Sequence, residues 1–226
     1  MNMNMFEQFA SPEFMWTPTA LLSMLIPIML VYNKPKLLNN RMMAALSFLL
    51  KTVMANMINQ LTSYGQKWCR ILMSLLIMIL SSNLLGLLPY TFTTTSQLSM
   101  NMAMAVPLWM ATVMTGMIKK PSTTLAHMLP EGSPTPLIPL MIMIETVSLF
   151  MRPLALGVRL TANITAGHLL MTMISSATLN FIHTNLILSM LTWTLLLLLT
   201  LLELAVACIQ AYVFVLLIIL YLQENT

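Results

Sequence analysis

The sequence predicts an all-α integral membrane protein. We expect about five membrane-crossing helices plus one amphipathic interfacial helix, the last two crossings being very long, tilted and hairpin-paired. Three observations predict this. Of 226 residues, 58% are apolar and 7% charged, against about a quarter charged in a soluble protein, which needs that charge to cover its surface. The mean hydropathy is +0.86. The stretches Ile71–Ile118 and Leu160–Leu202 carry no Asp, Glu, Lys or Arg, and each exceeds the roughly 20 apolar residues that one helical crossing needs. Soluble enzymes, nucleic-acid binders and disordered tails are excluded. The net charge of +4 therefore bears on sidedness in a bilayer and not on nucleic acid.

The first span is expected at about residues 16–32, with Trp16 and Tyr32 as interface anchors and Pro27 bending it. Residues 33–70 then carry Lys34, Lys36, Arg41, Lys51, Lys67 and Arg70 and no acid. Within them Met42, Leu46, Leu49, Val53, Met57 and Leu61 recur at helical spacing, with Lys51, Thr52, Asn56 and Asn59 on the other side. This predicts an amphipathic interfacial helix over residues 41–61. A transmembrane hairpin follows over 71–118. Its first arm runs from Ile71 to about Leu88, its uncharged turn is the Thr-rich Tyr90–Ser99, and its second arm is Asn101–Ile118, ending at Lys119 and Lys120. Asn83 and Gly86 in the first arm suit close helix packing.

Pro130–Pro139 is proline-rich and reads as a loop, with His127 beside it as a solvated or interfacial histidine. Met141–Ile182 is interrupted only by Pro153, and Leu186–Leu222 has neither Pro nor Gly. At 1.5 Å per residue the second would be roughly 55 Å long, against a hydrocarbon core of about 30 Å. This predicts a steeply tilted antiparallel hairpin over 141–222, turning near His183–Asn185. The whole chain, 1–226, reads as one membrane domain. The basic loops fall on one side of the spans, the uncharged turn on the other, and Glu7 and Glu13 precede the first span. By the positive-inside rule the amino terminus is outside and the carboxyl terminus inside.

Two isolated cysteines, Cys69 and Cys208, make neither a disulfide framework nor a metal site. The sequon at Asn163 lies in an apolar helix and is no glycan site. Met1–Ala10 has no basic targeting pattern, so the first span is expected to act as its own signal, or the chain to be made within its compartment.

Charge inside lipid costs about 2.5–3.5 kcal/mol per residue even on lenient insertion scales, so Glu145, Arg152, Arg159 and Glu203 are functional candidates. Glu145, Arg152 and Arg159 are spaced seven apart, and Asn163 follows four later. At about 100° per residue they form one polar stripe on an apolar helix. Glu203 and Gln210 form a matching stripe on the next helix. Glu145 with Arg152 is either an ion pair joining helices or part of a functional site. Arg159 keeps its proton, so it can attract a carboxylate but cannot relay a proton. Glu and His can. His168 lies about 180° round the helix from Arg159 and can meet Glu203 across the hairpin if the register allows; the plain alternative is a satisfied core histidine. Ala155, Gly157, Ala162, Ala166 and Gly167, with Ala205, Ala207 and Ala211, either pack helices or keep a surface shallow for another helical assembly to pass Arg159.

These residues lie in segments that resemble a known family. SLFMRPLALGVRLTANITAGHLL (Ser148–Leu170) and AVACIQAYVFVLLIILYL (Ala205–Leu222) are similar to subunit a of F-type ATP synthases. So are NLLGLLP (Asn83–Pro89), QLSMNMAMAVP (Gln97–Pro107) and LPEGSPTPLIP (Leu129–Pro139), which match its mitochondrial, animal-type form. The 25 methionines also resemble a product of the mitochondrial genome. The resemblance implies a proton-conducting stator subunit of the Fo sector, not an enzyme on its own, with protons as the transported ion and no cofactor or metal. Arg159 matches the family's essential arginine facing the ring of c subunits, and Gln210 the glutamine near it. His168 and Glu203 match a polar pair in the half-channel open to the intermembrane space, exchanged between the helices in bacterial relatives. Asn163 and Glu145 match polar positions near the proton route, and Arg152 carries no assigned role. The implied partners are the c-subunit ring, the peripheral stalk, other Fo membrane subunits and the lipid bilayer. The implied location is the mitochondrial inner membrane, amino terminus in the intermembrane space and carboxyl terminus in the matrix. A rival from another class, a redox subunit holding haem or quinone, needs paired histidines on facing helices, and the chain has only His127, His168 and His183.

Overall fold

The structure is a computed structural model that describes residues 9–10, 13–14, 17–18, 23–27, 29, 41–61, 65–88, 91–119, 121–126 and 137–225. Two short strands, β1 (Glu13–Phe14) and β2 (Thr17–Pro18), pair antiparallel with Glu13 opposite Pro18. The helices are α1 (Arg41–Gln60), α2 (Cys69–Gly86), α3 (Leu98–Lys119), α4 (Pro121–Ala126), α5 (Ile138–Thr184) and α6 (Leu186–Glu224), with 3-10 turns at Gly65–Trp68 and Thr94–Ser96. Among the described residues, Gly65–Gly86, α3, α5 and α6 are long and apolar enough to cross a membrane. The protein is an all-α membrane protein.

Within the expected first span, Thr17–Pro18 departs from helix and is extended, while residues 23–27 and 29 are helical. Proline disfavours the α region for the residue before it, and Thr17 precedes Pro18. The rest of that span, with Trp16 and Tyr32, lies outside the described residues, as do Lys34, Lys36, Lys120 and His127. The expected loop over Pro130–Pro139 is also too long at its far end. α5 already begins at Ile138, so Pro139 sits in the first helical turn, where a missing N–H costs nothing. Pro153 interrupts nothing: α5 runs through it for 47 residues. In lipid-spanning helices neighbouring groups re-satisfy the backbone that a proline frees.

Hydroxyls in these helices bond back to carbonyls three or four residues earlier. Ser81 donates to the Ile77 carbonyl at 2.7 Å, Thr165 to Thr161 at 2.9 Å and Thr200 to Leu197 at 2.7 Å. This satisfies each O–H within its own helix, as an environment without water requires. On α1, Lys51, Thr52, Asn56 and Asn59 are exposed while Met57 and Leu61 are buried. Leu49 on the apolar side remains 62% exposed.

By contact the chain groups into two compact units, one of Met1–Tyr32, Ile77–Asn101 and Val158–Tyr212, the other of Asn33–Leu76, Met102–Gly157 and Val213–Thr226. In the first, Ile79, Leu160, Ala207 and Ala211 are buried, and Asn83 Nδ2 donates to the Ala207 carbonyl at 3.5 Å. Asn101, fully buried, donates to the Thr95 carbonyl at 2.7 Å and to Thr161 Oγ1 at 2.8 Å. In the second, Leu72, Ala105, Phe214, Val215 and Ile218 form the core. A side chain at Gly65 would meet Leu61 and Leu222 at about 3 Å, so this glycine lets three segments close together.

The α5–α6 turn within the first unit is a single residue. The Asn185 N–H donates to the Phe181 carbonyl at 2.9 Å, closing α5, and its own carbonyl accepts from Ser189 N at 3.1 Å, opening α6. Asn suits both ends, as a helix stop and as an N-cap. Beyond the turn the helices run antiparallel: Gly167 meets Glu203, and further from the turn Asn163 meets Gln210.

Candidate functional site

Asn83, Asn163, His168, Glu203 and Gln210 of the first unit line one cavity of about 20 Å³, room for about one water molecule. Asn83 and Leu87 line it from α2 and the residues just after it, Asn163, Ile164 and His168 from α5, and Glu203, Val206, Ala207 and Gln210 from α6. Helical spacing explains the set. Residues three or four apart share a face, so Ile164 and His168 stand one turn apart on α5 with Asn163 next to Ile164, while Glu203, Val206, Ala207 and Gln210 climb a single face of α6.

Each wall residue is held differently. Asn163 Nδ2 donates to Gln210 Oε1 at 3.1 Å, tying the two amides together across the hairpin. Asn83 is buried, and its Oδ1 has no hydrogen-bond partner among the described residues. Glu203 is only 8% exposed, and its Oε1 likewise has no partner. Its carboxylate lies directly over Gly167: a Cβ there would collide with Oε1 and stand 3.0 Å from Cδ. His168 is half-buried, and the Phe9 ring meets it edge-on with centroids 6.5 Å apart and planes at 75°. Two unpartnered carbonyl-type oxygens on a water-sized cavity are what an ordered water would satisfy. Glu203 and His168 can each take up and release a proton there, whereas the Asn and Gln amides can only orient it.

Arg159 belongs to the same unit but not to this cavity. It is exposed on α5, as are Ala162, Asn163 and Ala166 beyond it, and it makes no ion pair among the described residues. The expected polar stripe therefore divides. Asn163 stays in the first unit, whereas Glu145 and Arg152 lie in the second, where Arg152 Nη1 pairs with Glu224 Oε2 at 2.9 Å and Nη2 reaches Glu145 Oε1 at 3.8 Å. The Arg152 guanidinium also sits 5.1 Å from the centre of the Tyr221 ring, a cation–π distance. Arg152 thus meets Glu145 on its own helix and, more closely, Glu224 on α6.

Sequence reasoning missed Glu224 and Tyr221 as partners of Arg152, and it assigned Asn83 to packing alone. For Asn83 the signal was present, since an amide in a charge-free apolar stretch needs a polar neighbour. His168 and His183 lie on the same helix several turns apart, and His183 is exposed, so they do not form the facing pair that the haem reading needs.

The family described as ATP synthase A chain matches residues 13–223. The chain is 76% identical to the ATP synthase F(0) complex subunit a of Lycodon semicarinatus. It is 57% identical to the protein of that name from Struthio camelus and 52% to the one from Gorilla gorilla gorilla. All three similarities cover the full length of both chains.

Proposed function

The chain belongs to the ATP synthase A chain family, and on that premise we propose that it is the proton-conducting stator subunit of the Fo sector, with two offset half-channels serving a carboxylate on the c-subunit ring. The observation that carries this reading is Arg159. It is a permanent cation, exposed on a helix apolar enough to span the bilayer, with no ion pair among the described residues of its own chain. Hydrocarbon opposes that arrangement by about 2.5–3.5 kcal/mol on insertion scales. A carboxylate carried past it by another subunit removes the cost, and the exposed Ala162 and Ala166 leave room for that approach.

Protons enter from the intermembrane side at the Glu203–His168 cavity and pass to the ring carboxylate. Two features favour that side. Asn83 and Leu87 lie where α2 leads into the uncharged turn, and Gln97 of that turn bonds the backbone of the amino-terminal segment. After nearly a full turn of the ring, the protonated carboxyl meets Arg159, whose charge favours release of the proton towards the matrix. Arg159 keeps its own proton, so it separates the two half-channels. Asn163 and Gln210 hold the α5–α6 register beside the entry site, and Glu145 supports the path on the matrix side. The other partners are the peripheral stalk and the remaining Fo membrane subunits. The setting is the mitochondrial inner membrane, with the amino terminus in the intermembrane space and the carboxyl terminus in the matrix.

Arg159→Ala is expected to abolish proton-driven ATP synthesis while the complex still assembles; normal synthesis in that variant rejects the reading. His168→Glu combined with Glu203→His is expected to be tolerated better than either change alone. A double variant no better than the worse single shows that the two are not a working pair.

A further inference from the structure

We propose that Phe9 is a positioning residue for His168, which makes the amino-terminal segment part of the proton-entry site; this rests on the function proposed above. His168 lines the cavity but makes no hydrogen bond among the described residues. The terminal torsion of a histidine is broad, and its two ring nitrogens differ in what they donate and accept. Some other contact must therefore decide which nitrogen faces the cavity. The edge-to-face Phe9 ring, at 6.5 Å and 75°, is that contact.

Phe9 is itself tied to the helix that carries His168. Gln97 Nε2 donates to the Phe9 carbonyl at 2.9 Å. The Gln97 backbone is held at both ends, its N–H donating to the Thr94 carbonyl at 3.1 Å and its carbonyl accepting from Asn101 N at 3.4 Å. The Asn101 side chain then donates to Thr161 Oγ1 at 2.8 Å, two turns before His168 on α5. The path leaves α5 at Thr161 and returns to it at His168, so Phe9 is referenced to the imidazole it contacts. The whole frame lies in one compact unit.

The test measures proton-driven ATP synthesis by the assembled complex in inner-membrane vesicles at a fixed proton-motive force. Phe9→Ala is expected to lower synthesis roughly two- to tenfold, the range of an aromatic pair, and Phe9→Tyr to retain it. In a His168→Gln background, itself impaired, Phe9→Ala is expected to add nothing, because coupled residues are non-additive. Should Phe9→Ala fail to assemble, Gln97→Ala carries the same comparison, with loss expected against His168 and none against His168→Gln. Additive losses, or unchanged synthesis in Phe9→Ala, overturn this inference alone. Unchanged synthesis in His168→Gln overturns the entry-site reading and this inference with it.

Discussion

Glu203 rests its carboxylate over Gly167, and this contact makes a glycine on α5 part of the site. Alanine is the better helix former by about 1 kcal/mol, so propensity alone favours Gly167→Ala. The collision with Oε1 opposes it, and overpacking a tight contact costs about 1–3 kcal/mol. We expect Gly167→Ala to lower proton-driven synthesis and to leave the complex no more heat-stable. An unchanged rate with raised stability is the result that excludes the contact. Asn101 is the second residue whose role exceeds its type. It is fully buried and donates two hydrogen bonds. Asn101→Leu is expected to destabilise the complex by about 1–3 kcal/mol, read as a lower melting temperature; an unchanged one means the pair to Thr161 adds no net stability. Asn83 shows the limit of reading residues singly. An isolated amide in an apolar helix advertises a polar neighbour, but not that the neighbour is a cavity shared with Glu203.

At the scale of the element, helical periodicity put Glu145, Arg152, Arg159 and Asn163 on one stripe, and α5 keeps that phase. The stripe nonetheless has three destinations: Arg152 and Glu145 meet Glu224 and Tyr221, Asn163 meets Gln210, and Arg159 is exposed. Shared phase says which residues point the same way, and the facing helix decides what each one meets. The Arg152–Glu224 pair is partly exposed on both sides, and such pairs are worth at most about 1 kcal/mol. Glu224→Gln is therefore expected to lower the thermal stability of the complex by about 1 kcal/mol or less while synthesis continues. A much larger loss would mean that other subunits bury this pair. The α5–α6 turn was legible as a break in apolar length, but its reduction to Asn185 alone was not, because one-residue turns depend on backbone geometry and carry no composition signal.

For the whole molecule, the charge pattern predicts an orientation. Arg41, Lys51, Lys67, Arg70 and Lys119 are expected on the matrix side, and the uncharged turn after α2 on the opposite one. An epitope at the carboxyl terminus is expected to resist protease in mitoplasts until the inner membrane is opened, whereas one at the amino terminus is cut at once. The reverse pattern would invert the proposed half-channels, since the Glu203 cavity would then face the matrix.

Composition and hydropathy by themselves determined that this chain lies in a membrane, where its long helices run and which few charges fall within them. These are properties of each stretch of chain taken alone, set by the cost of placing its groups in hydrocarbon. Tertiary structure alone decided that Glu203 sits over Gly167, that Asn83 joins its cavity, that Arg152 is neutralised within the chain and that Arg159 makes no ion pair among the described residues. Those outcomes turn on register and rotation between helices, where one residue of slip moves a side chain by about 100° around the axis, and no periodicity within a single helix records that choice.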